Sequence, residues 1–390
     1  MTAGGMMLAD KNLFANINAE KFPELAKHKI QKVELVTVNY QWPRFVGKNG
    51  ARDVHGQYNK ENILKIYTDQ GAMGWGLTDN RVSSSLSFIQ GKKVSDLITP
   101  DKGLTDGLNV LYFDLPLFDL LGVIMDKPVY KILDGSGTKE TPVYSGMIYF
   151  DEIPNKNNKG GIETIMENCA WDYEYGYRQF KIKIGRGKNW YPAKAGMEMD
   201  IKIVKKIYEE YKDKSIDILV DSNNTYSLED TITFLKGIGD IPLYWVEEPF
   251  LENMETGRKL RKWMNENGFD KTLYADGEWI SAEAKEDIAL DMVDARLVNT
   301  YLNDIHVYGL TNWMKVMPRL KKVNAGGSPH AWGTMLKTHY TAHLAAGLGS
   351  IPTIEGVTCL SDDIDYGNYP IKDGKIKVSD KPGFGMKLLK

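Results

Sequence analysis

Apolar and polar positions follow two alternating patterns along the chain from residue 141 onward. Short apolar runs of strand length are each followed by a longer segment with helical periodicity. The apolar runs are PVYSGMIYF, FKIKIG, IDILVD, LYWVEE, TLYADGE, ARLVN, VNAGGSPH and IPTIEG. Alternating strands and helices form parallel sheets, and eight strands within about 220 residues indicate a barrel. We therefore predict an α/β fold with a modified TIM barrel, (β/α)7β-like, over residues 139–360, with helices from residue 282 and from residue 310 flanking ARLVN.

The pattern before the barrel is mixed and predicts an N-terminal α+β capping domain over residues 1–138. Residues 1–30 resemble a polar helical lead-in, and IQKVELVTVNY alternates as a strand. The run ILKIYTDQGAMGWGL predicts a hairpin that turns at residues 69–71. Helical periodicity then continues to about Leu133. The turn-rich tail, residues 361–390, is expected to return and complete this domain.

Residues 40–57 are rich in Gly, basic and aromatic residues, which predicts a long loop between two strands. Long loops in compact domains usually act as functional lids or are disordered. We therefore expect a lid or specificity loop. Its side chains available to hold an anion are Arg44, Lys48, Arg52 and His55.

Composition narrows the class of partner. The 390 residues are 42% hydrophobic and 26% charged, with a formal net charge of −3 and no dense basic cluster. Nucleic acids and anionic membranes require a basic face, so a small molecule is the expected partner. The longest apolar stretch is interrupted by Asp114, Pro116 and Asp119, which indicates a buried element rather than a membrane span. With two cysteines and no signal-peptide pattern, the chain is expected to be cytoplasmic.

Two lysines stand one residue apart in the strand FKIKIG, and side chains at that spacing share one face. A Lys-x-Lys pair is most often a solvated face, but barrel strands bury both faces, so Lys181 and Lys183 need partners. Two ammonium groups about 4 Å apart repel by roughly 4 kcal/mol at an effective dielectric of 20. We therefore expect one of them to be neutral, and a neutral Lys183 to be suited to act as a general base.

Carboxylates end the following strands, and three of them on successive strands indicate a hard-cation site that suits Mg²⁺. The candidates are Asp221, Glu247 and either Asp276 or Glu278, which share a face. Glu248 is expected to point away from Glu247 and to be structural. Asn223 is expected either to orient a ligand or to serve as a turn residue.

Among the histidines, His330 follows a strand end and is placed for chemistry, although a turn or core histidine is an equal alternative. His339 and His343 are four residues apart on a helix, the spacing of two zinc ligands. The glutamate that should follow the first is absent and the surrounding sequence is apolar, so we reject a zinc site there.

Taken in order, these motifs resemble the enolase superfamily, in its mandelate racemase subgroup, over nearly the whole chain. FKIKIG is similar to that family's lysine strand and SPHAW to its histidine strand. VDSNN, WVEEPF and YADGEW are similar to its three metal strands, IEG to its eighth strand and PGFG to its C-terminal signature.

The resemblance implies one Mg²⁺ per subunit, bound by Asp221, Glu247 and Glu278. It implies that Lys183 is the base on one face of a carboxylate substrate and His330 the acid or base on the other. Lys181 would assist at the substrate carboxylate, and Glu355 would hydrogen-bond the developing oxyanion of an enediolate. Members of this family commonly form homo-oligomers, which is the expectation here.

One departure concerns the aspartate that pairs with the histidine in this subgroup, at the end of the sixth strand. Alignment on the downstream Gly-Leu-Thr places Asn303 there, with Asp304 one residue away and Asn299 nearer the predicted strand end. Asp304 would serve if a small insertion re-aims it. An asparagine partner would lower the pKa of His330.

The sequence therefore predicts a Mg²⁺-dependent acid-sugar dehydratase that removes the proton α to a carboxylate and yields a 2-keto-3-deoxy sugar acid. A racemase, epimerase or cycloisomerase using the same site is the alternative. A barrel glycosidase using Glu247 and a second carboxylate would need neither metal nor lysines. A non-catalytic descendant of the fold is a third possibility, raised by the sixth-strand departure.

Overall fold

The computed structural model describes residues 20–278, 286–367 and 369–390. The part before the barrel combines short helices with antiparallel strands. Its elements are α1 (Pro23–Lys27), β1 (Ile30–Val46), β2 (Gly56–Thr68), β3 (Met73–Leu77), 3-10 turns at Asn80–Ser84, Leu86–Phe88 and Val94–Asp96, β4 (Ile98–Thr99), β5 (Gly103–Leu104), α2 (Val110–Ile124) and α3 (Val129–Ile132). Most of the predicted lead-in, residues 1–19, lies outside the described residues.

Strands β1, β2 and β3 form an antiparallel sheet, and the predicted hairpin between β2 and β3 is confirmed. The prediction of a loop over residues 40–57 is wrong in extent, because only residues 47–55 connect β1 to β2. Tyr40, Trp42 and Val46 are buried at strand spacing. Pro43 obscured this pattern in the sequence, but β1 ends the order of its sheet, and proline is tolerated in an edge strand.

Among the described residues, the barrel part of the chain contains eight strands, with a helix after each of the first seven. These elements are β6 (Glu140–Ile148), α4 (Ile162–Tyr175), β7 (Gln179–Lys183), α5 (Ala193–Tyr211), β8 (Asp217–Asp221), α6 (Leu228–Ile238), β9 (Leu243–Glu247), α7 (Met254–Glu266), β10 (Leu273–Asp276), α8 (Ile288–Asp294), β11 (Thr300–Tyr301), α9 (Ile305–Lys322), β12 (Gly326–Gly327), α10 (Met335–Leu348) and β13 (Ile354–Gly356). The strands from β6 to β12 pair in parallel in sequence order, and β13 pairs with β6. The sheet therefore curls back toward its first strand, which confirms the TIM-barrel-like α/β fold.

The sixth strand differs from the prediction of ARLVN. Helix α8 ends at Asp294, and the Leu297 amide donates to the Met292 carbonyl at 2.9 Å, so Leu297 belongs to the turn that closes this helix. Strand β11 follows at Thr300–Tyr301, and α9 begins at Ile305 rather than at residue 310. Gly309, at φ 75°, kinks α9. Because this kink interrupts the helical periodicity, the sequence did not predict the first turn of the helix. The predicted start of a helix at residue 282 lies outside the described residues.

The C-terminal tail contacts both parts of the protein. Its strands are β14 (Ile364–Asp365), β15 (Ile371–Lys372), β16 (Lys375–Lys377) and β17 (Lys387–Leu388). Strand β16 pairs with barrel strand β6, whereas the Phe384 amide donates to Asp119 of α2 at 2.9 Å. The main hydrophobic core runs continuously through the cap and the barrel. Neither observation separates the two parts, so the division into 1–138 with 361–390, and 139–360, stays a proposal.

Helix α2 contains the apolar stretch noted above, and its acidic residues are buried. The Asp114 carboxylate accepts the Leu310 and Thr311 amides of α9, so it ties the cap to the barrel. Within the described ranges, no helix combines the length and apolar character that a membrane crossing needs.

Candidate active site

Strand β7 places both lysines inside the barrel, on one face as predicted, and each contacts carboxylates. Lys181 Nζ lies 2.8 Å from Glu247 Oε1, 2.9 Å from Glu355 Oε1 and 3.5 Å from Asp221 Oδ2. Lys183 Nζ contacts Asp221 Oδ2. The side chains of the two lysines are only 1% and 6% exposed. The carboxylates at the next strand ends therefore supply the partners that buried ammonium groups need.

These carboxylates change the expected protonation of the lysines. Burial lowers the pKa of Lys181, but Glu247 and Glu355 outweigh burial and raise it well above the ordinary value. At Lys183 burial is likewise outweighed, mainly by Asp221, and the pKa rises. The expectation that repulsion makes Lys183 neutral is therefore wrong for this arrangement, because the attraction of the carboxylates exceeds the repulsion between the ammonium groups.

The three predicted metal ligands lie at the ends of β8 and β9 and just beyond β10. Glu247 Oε2 and Glu278 Oε2 are buried and have no hydrogen-bond partner among the described residues, although buried acceptors are nearly always paired. In the described part of the chain no three Asp, Glu, His or Cys side chains converge into a ligand group. Lysine and histidine nitrogens lie against the carboxylates instead. The donor set nevertheless fits a hard cation, because it consists of buried carboxylate oxygens with acceptor capacity to spare.

Asp276 and Glu278, which strand parity could not separate, lie in different surroundings. Gly277, at φ 98°, turns the backbone between them. Asp276 accepts the Gly277 amide at 2.8 Å, and burial followed by the nearby Glu252 raises its pKa. Glu278 Oε1 instead lies 2.9 Å from His330 Nε2. Glu278 is therefore the carboxylate that faces the candidate site.

Glu248 departs from strand geometry, with a φ of 40°. Burial and, next, the nearby charges of Glu278 and Asp221 raise its pKa well above the ordinary value. Its carbonyl accepts the Ser222 hydroxyl at 2.7 Å. The expectation that its side chain points away from Glu247 and is structural stays a prediction.

His330 contacts a carboxylate through each ring nitrogen. Its Nδ1 lies 2.8 Å from Asp304 Oδ2, and its Nε2 lies 2.9 Å from Glu278 Oε1. Burial lowers its pKa, but Glu278 and Asp304 outweigh burial and raise the pKa to about 10. The histidine is therefore an imidazolium at neutral pH in this arrangement.

Asp304 is the carboxylate partner that the sequence left undecided. Asn299 accepts the Tyr274 amide at 3.0 Å, and the Asn303 amide group donates to the Tyr301 hydroxyl at 2.9 Å. Asp304 caps α9 with Oδ1, which accepts the amides of His306 and Val307, and contacts His330 with Oδ2.

Glu355 lies between the lysine strand and the histidine. Its Oε1 is 2.9 Å from Lys181 Nζ, and its Oε2 is 3.9 Å from His330 Nε2. Oε2 also accepts the Ala331 amide at 2.7 Å. Burial raises the pKa of Glu355, but Lys181 and His330 outweigh burial and lower it. Glu355 therefore stays anionic between two cationic groups.

The sequence of this chain is similar to those of known enzymes. The sequence model described as enolase C-terminal domain-like matches residues 165–390, more than half of the chain. The chain belongs to the enolase superfamily. It is 27% identical over 278 residues to arabinonate dehydratase from Saccharolobus solfataricus, covering 70% of this chain and 67% of that protein. It is 23% identical to the N-succinyl-L-Arg/Lys racemase of Bacillus cereus over 353 residues, covering 84% and 87%.

The fold agrees with solved enolase-superfamily structures. A mutant of galacturonate dehydratase from Geobacillus sp., complexed with Mg, superposes with a TM-score of 0.85 at 27% identity and covers 93% of this chain and 94% of that one. A structure of that dehydratase with D-galacturonate and 5-keto-4-deoxy-D-galacturonate gives 0.84 at 28% identity, covering 93% and 95%. These relatives are dehydratases and a racemase of the enolase superfamily, and this chain is an enzyme of that superfamily.

In this enolase-superfamily chain, the predicted anion-binding residues of the 40–57 segment separate into two groups. Arg44 is paired through both terminal nitrogens with buried Asp172, at 2.7 and 2.8 Å, so its charge is already neutralised within the protein. Its assignment to substrate binding stays a prediction that this pairing does not support. Lys48 Nζ lies 2.9 Å from Asp53 Oδ1 and 3.8 Å from the centre of the Trp190 ring, and Arg52 is exposed. Lys48 and Arg52 stay candidates as residues of the 47–55 connection.

His55, in the 47–55 connection, is joined to the lysine strand through the Tyr149 ring. Its ring packs against Tyr149, with centroids 4.8 Å apart, and the Tyr149 ring lies 5.4 Å from Lys183 Nζ. Burial is the main cause that lowers the pKa of His55 to about 4. His55 is therefore neutral, and it offers a substrate packing or a hydrogen bond rather than charge.

Asn223 combines the two roles that the sequence left open. It is a turn residue with φ 47°, and its backbone amide donates to Asp221 Oδ1 at 2.8 Å. It therefore orients a predicted metal ligand.

Two residues that sequence reasoning missed support this site. Buried Arg186 pairs with Glu152 and Asp200, each at 2.7 Å, and donates to the Lys183 carbonyl at 2.9 Å. Lys337 Nζ lies 2.7 Å from Asp304 Oδ2. A signal for Arg186 was available, since it directly follows FKIKIG just beyond the end of the strand. Nothing in the sequence connects Lys337 with Asp304.

The rejected zinc pair has other partners. His339 Nδ1 lies 3.0 Å from Met386 Sδ, and His343 Nδ1 accepts the Tyr130 amide at 3.1 Å. Both histidines are buried core residues.

Proposed function

We propose that this enzyme is a Mg²⁺-dependent acid-sugar dehydratase that forms a 2-keto-3-deoxy sugar acid. The observation that carries the proposal is the position of Glu355, which links the lysine strand to a histidine that already has a carboxylate partner. Two buried proton-transfer groups, Lys183 and His330, thus border one carboxylate cluster. The arabinonate and galacturonate dehydratases among its relatives support the reaction class.

We infer that one Mg²⁺ per subunit is held by Asp221, Glu247 and Glu278. The unpartnered oxygens of Glu247 and Glu278 support this ligand set, as does the Mg complex of galacturonate dehydratase. When bound, Mg²⁺ would offset the negative charge that develops on the substrate carboxylate as the α-proton leaves.

Lys183 is proposed as the base that removes the α-proton. The pKa of Lys183 is raised because nearby carboxylates stabilise its ammonium form. A second cation bound by the same carboxylates would weaken that stabilisation and lower the pKa. Lys181, between Glu247 and Glu355, is placed to neutralise the substrate carboxylate. Glu355 is proposed to hydrogen-bond the developing oxyanion. This role requires its protonated form, so the negative charge of a bound substrate must raise the pKa that Lys181 and His330 lower in this arrangement.

His330 is proposed as the acid that protonates the departing 3-hydroxyl group. Its partners Asp304 and Glu278 favour the imidazolium form, which can donate a proton. The electron pair of the broken α C–H bond then forms the new double bond as the hydroxyl leaves as water. The resulting enol becomes the 2-keto product.

Racemisation or epimerisation is the second candidate. It is favoured by the presence of two proton-transfer groups on different strands, since each would serve one face of the substrate. The racemase relative belongs to the same superfamily. Cycloisomerisation would also use this site. The non-catalytic alternative loses its basis, because Asp304 does pair with His330. The glycosidase alternative leaves the lysine pair unused.

The test is incubation of the Mg²⁺-loaded protein with aldonic, aldaric and uronic acids, including arabinonate and D-galacturonate. A dehydratase releases an α-keto acid, which is a 2-keto product from an aldonic or aldaric acid and a 5-keto-4-deoxy product from D-galacturonate. A racemase gives α-deuterium exchange in D₂O and an inverted acid without a keto product. The Lys183→Ala variant should lose both signals. Absence of exchange and of product with every acid would refute enolisation at this site. A cytoplasmic location and a homo-oligomer stay predictions.

A further inference from the structure

Lys337 lies in the first turn of α10, the helix that follows the histidine segment. Its side chain is 12% exposed, and its Nζ lies 2.7 Å from Asp304 Oδ2. Asp304 is fully buried. An ammonium group on a buried carboxylate removes the cost of an unpaired charge in the protein interior. Lys337 and Asp304 therefore form a buried ion pair inside the barrel rather than a surface ion pair.

Both carboxylate oxygens of Asp304 accept hydrogen bonds. Oδ1 accepts the amides of His306 and Val307, at 2.8 and 3.0 Å, and Oδ2 accepts from His330 Nδ1 and Lys337 Nζ. The two backbone bonds fix one end of the carboxylate. At the other end, the lysine shares Oδ2 with the histidine.

The geometry points to a specific role. We propose that Lys337 is a positioning residue for His330, which holds Asp304 Oδ2 so that the imidazole is aimed with Nε2 toward the substrate. This inference depends on the proposed function, because it concerns the step that His330 performs. Lys337 itself does not touch the reacting atoms, and it acts through Asp304.

A second carboxylate interacts with the lysine from the cap. Glu61 of β2 lies close enough to Lys337 for their charges to interact, and Tyr40 of β1 donates from its hydroxyl to Glu61 Oε1 at 3.5 Å. The charge of Lys337 thus acts on Glu61 of the cap as well as on Asp304 of the barrel. A neutral side chain at 337 would leave both carboxylates without this cation.

The test compares Lys337→Met with Lys337→Arg and with Lys194→Met, a control lysine on α5 whose side chain is 92% exposed. With an acid that the Mg²⁺-loaded wild type dehydrates, Lys337→Met should lower kcat at least tenfold and change KM less than threefold. Exchange of the α-proton in D₂O, assigned to Lys183, should fall less than threefold. Lys337→Arg should restore kcat to within fivefold, and Lys194→Met should match the wild type.

A double-mutant cycle decides whether Lys337 acts through Asp304. In the Asp304→Asn background, Lys337→Met should change kcat less than threefold. An equal loss in both backgrounds, or a normal kcat in Lys337→Met, would overturn the proposal. If Lys337→Met does not fold, Lys337→Gln takes its place in the cycle.

A readout without substrate separates this inference from the proposed function. In Mg²⁺-loaded protein with ¹⁵N-labelled histidine, the His330 Nδ1 proton should exchange with water at least tenfold faster in Lys337→Met, and Lys194→Met should leave it unchanged. An unchanged exchange rate refutes the positioning role even if no acid is turned over. Absence of turnover in the wild type refutes only the proposed reaction.

Discussion

His330 Nδ1 lies 2.8 Å from Asp304 Oδ2, although Asp304 stands beyond the end of strand β11. The chain continues from β11 directly into α9, and Asp304 is the residue that caps this helix. One carboxylate therefore fixes a helix end with one oxygen and orients a histidine with the other. The position of the cap determines the position of the histidine partner.

The Asp304→Asn variant should lower kcat by about 10²- to 10⁴-fold, because loss of the carboxylate destabilises the imidazolium and disturbs the tautomer of His330. Asparagine is as good a helix cap as aspartate, so the helix should survive and the effect should report loss of the carboxylate rather than loss of the cap. Steady-state kinetics and thermal unfolding measure the two effects. Asp287→Asn, at the cap of α8, is the matched control and should keep wild-type activity. Equal activity of the two variants would contradict the role of Asp304.

The barrel and most of its site were predictable because they follow from local patterns. Strand periodicity put Lys181 and Lys183 on one face, and regular βα spacing put Asp221 and Glu247 at strand ends. Those residues lie where they were expected, and Lys181 contacts both carboxylates. A pattern that repeats over many residues predicts a strand or helix correctly even when the predicted boundaries are wrong by a few positions.

The remaining features depend on contacts or backbone angles that no local pattern records. Glu248 and Gly277 have positive φ angles, so the backbone departs from strand geometry there. The alternation of side chains between the two faces of a strand therefore does not predict side-chain direction at these positions. Arg44 looked like a free cation because its partner Asp172 is distant in sequence. The protonation of Lys183 was misjudged for the same reason, since its charge depends on Asp221, which the fold brings into contact.

Removal of the Glu278 carboxylate should abolish tight Mg²⁺ binding, whereas removal of the Asp276 carboxylate should not. Both carboxylates have a buried oxygen without a partner among the described residues. Glu278 contacts His330 of the candidate site, whereas Asp276 accepts the Gly277 amide. Calorimetric titration of Glu278→Gln with Mg²⁺ should show at least a tenfold weaker affinity, and EDTA should inactivate the wild type. Asp276→Asn is the matched control. Tight binding by Glu278→Gln together with loss in Asp276→Asn would reverse the assignment.

Arg186 should be a major contributor to stability, because it neutralises two carboxylates in the core. The Arg186→Met variant leaves Glu152 and Asp200 without their cation and should lose about 3–5 kcal/mol of unfolding free energy. Urea denaturation measures this loss. Arg319→Met is the control, since its side chain is 39% exposed and such pairs contribute about 0–1 kcal/mol. Similar midpoints for the two variants would show that the buried network is not stabilising.

Protonation of His343 should contribute to acid unfolding. Its Nδ1 accepts the Tyr130 amide and its Nε2 lies 2.6 Å from the Tyr369 hydroxyl, and burial lowers its pKa from 6.5 to about 3. A depressed folded-state pKa means that the stabilisation is complete above pH 6.5 and is lost as the pH falls toward 3, by up to about 1.4 kcal/mol per pH unit. His343→Gln, which keeps an acceptor and a donor without titrating, should flatten the dependence of unfolding free energy on pH between 6.5 and 3 by about one proton. His28→Gln, at a half-buried position, should change the slope less. An unchanged slope in His343→Gln would mean that this histidine does not control acid stability.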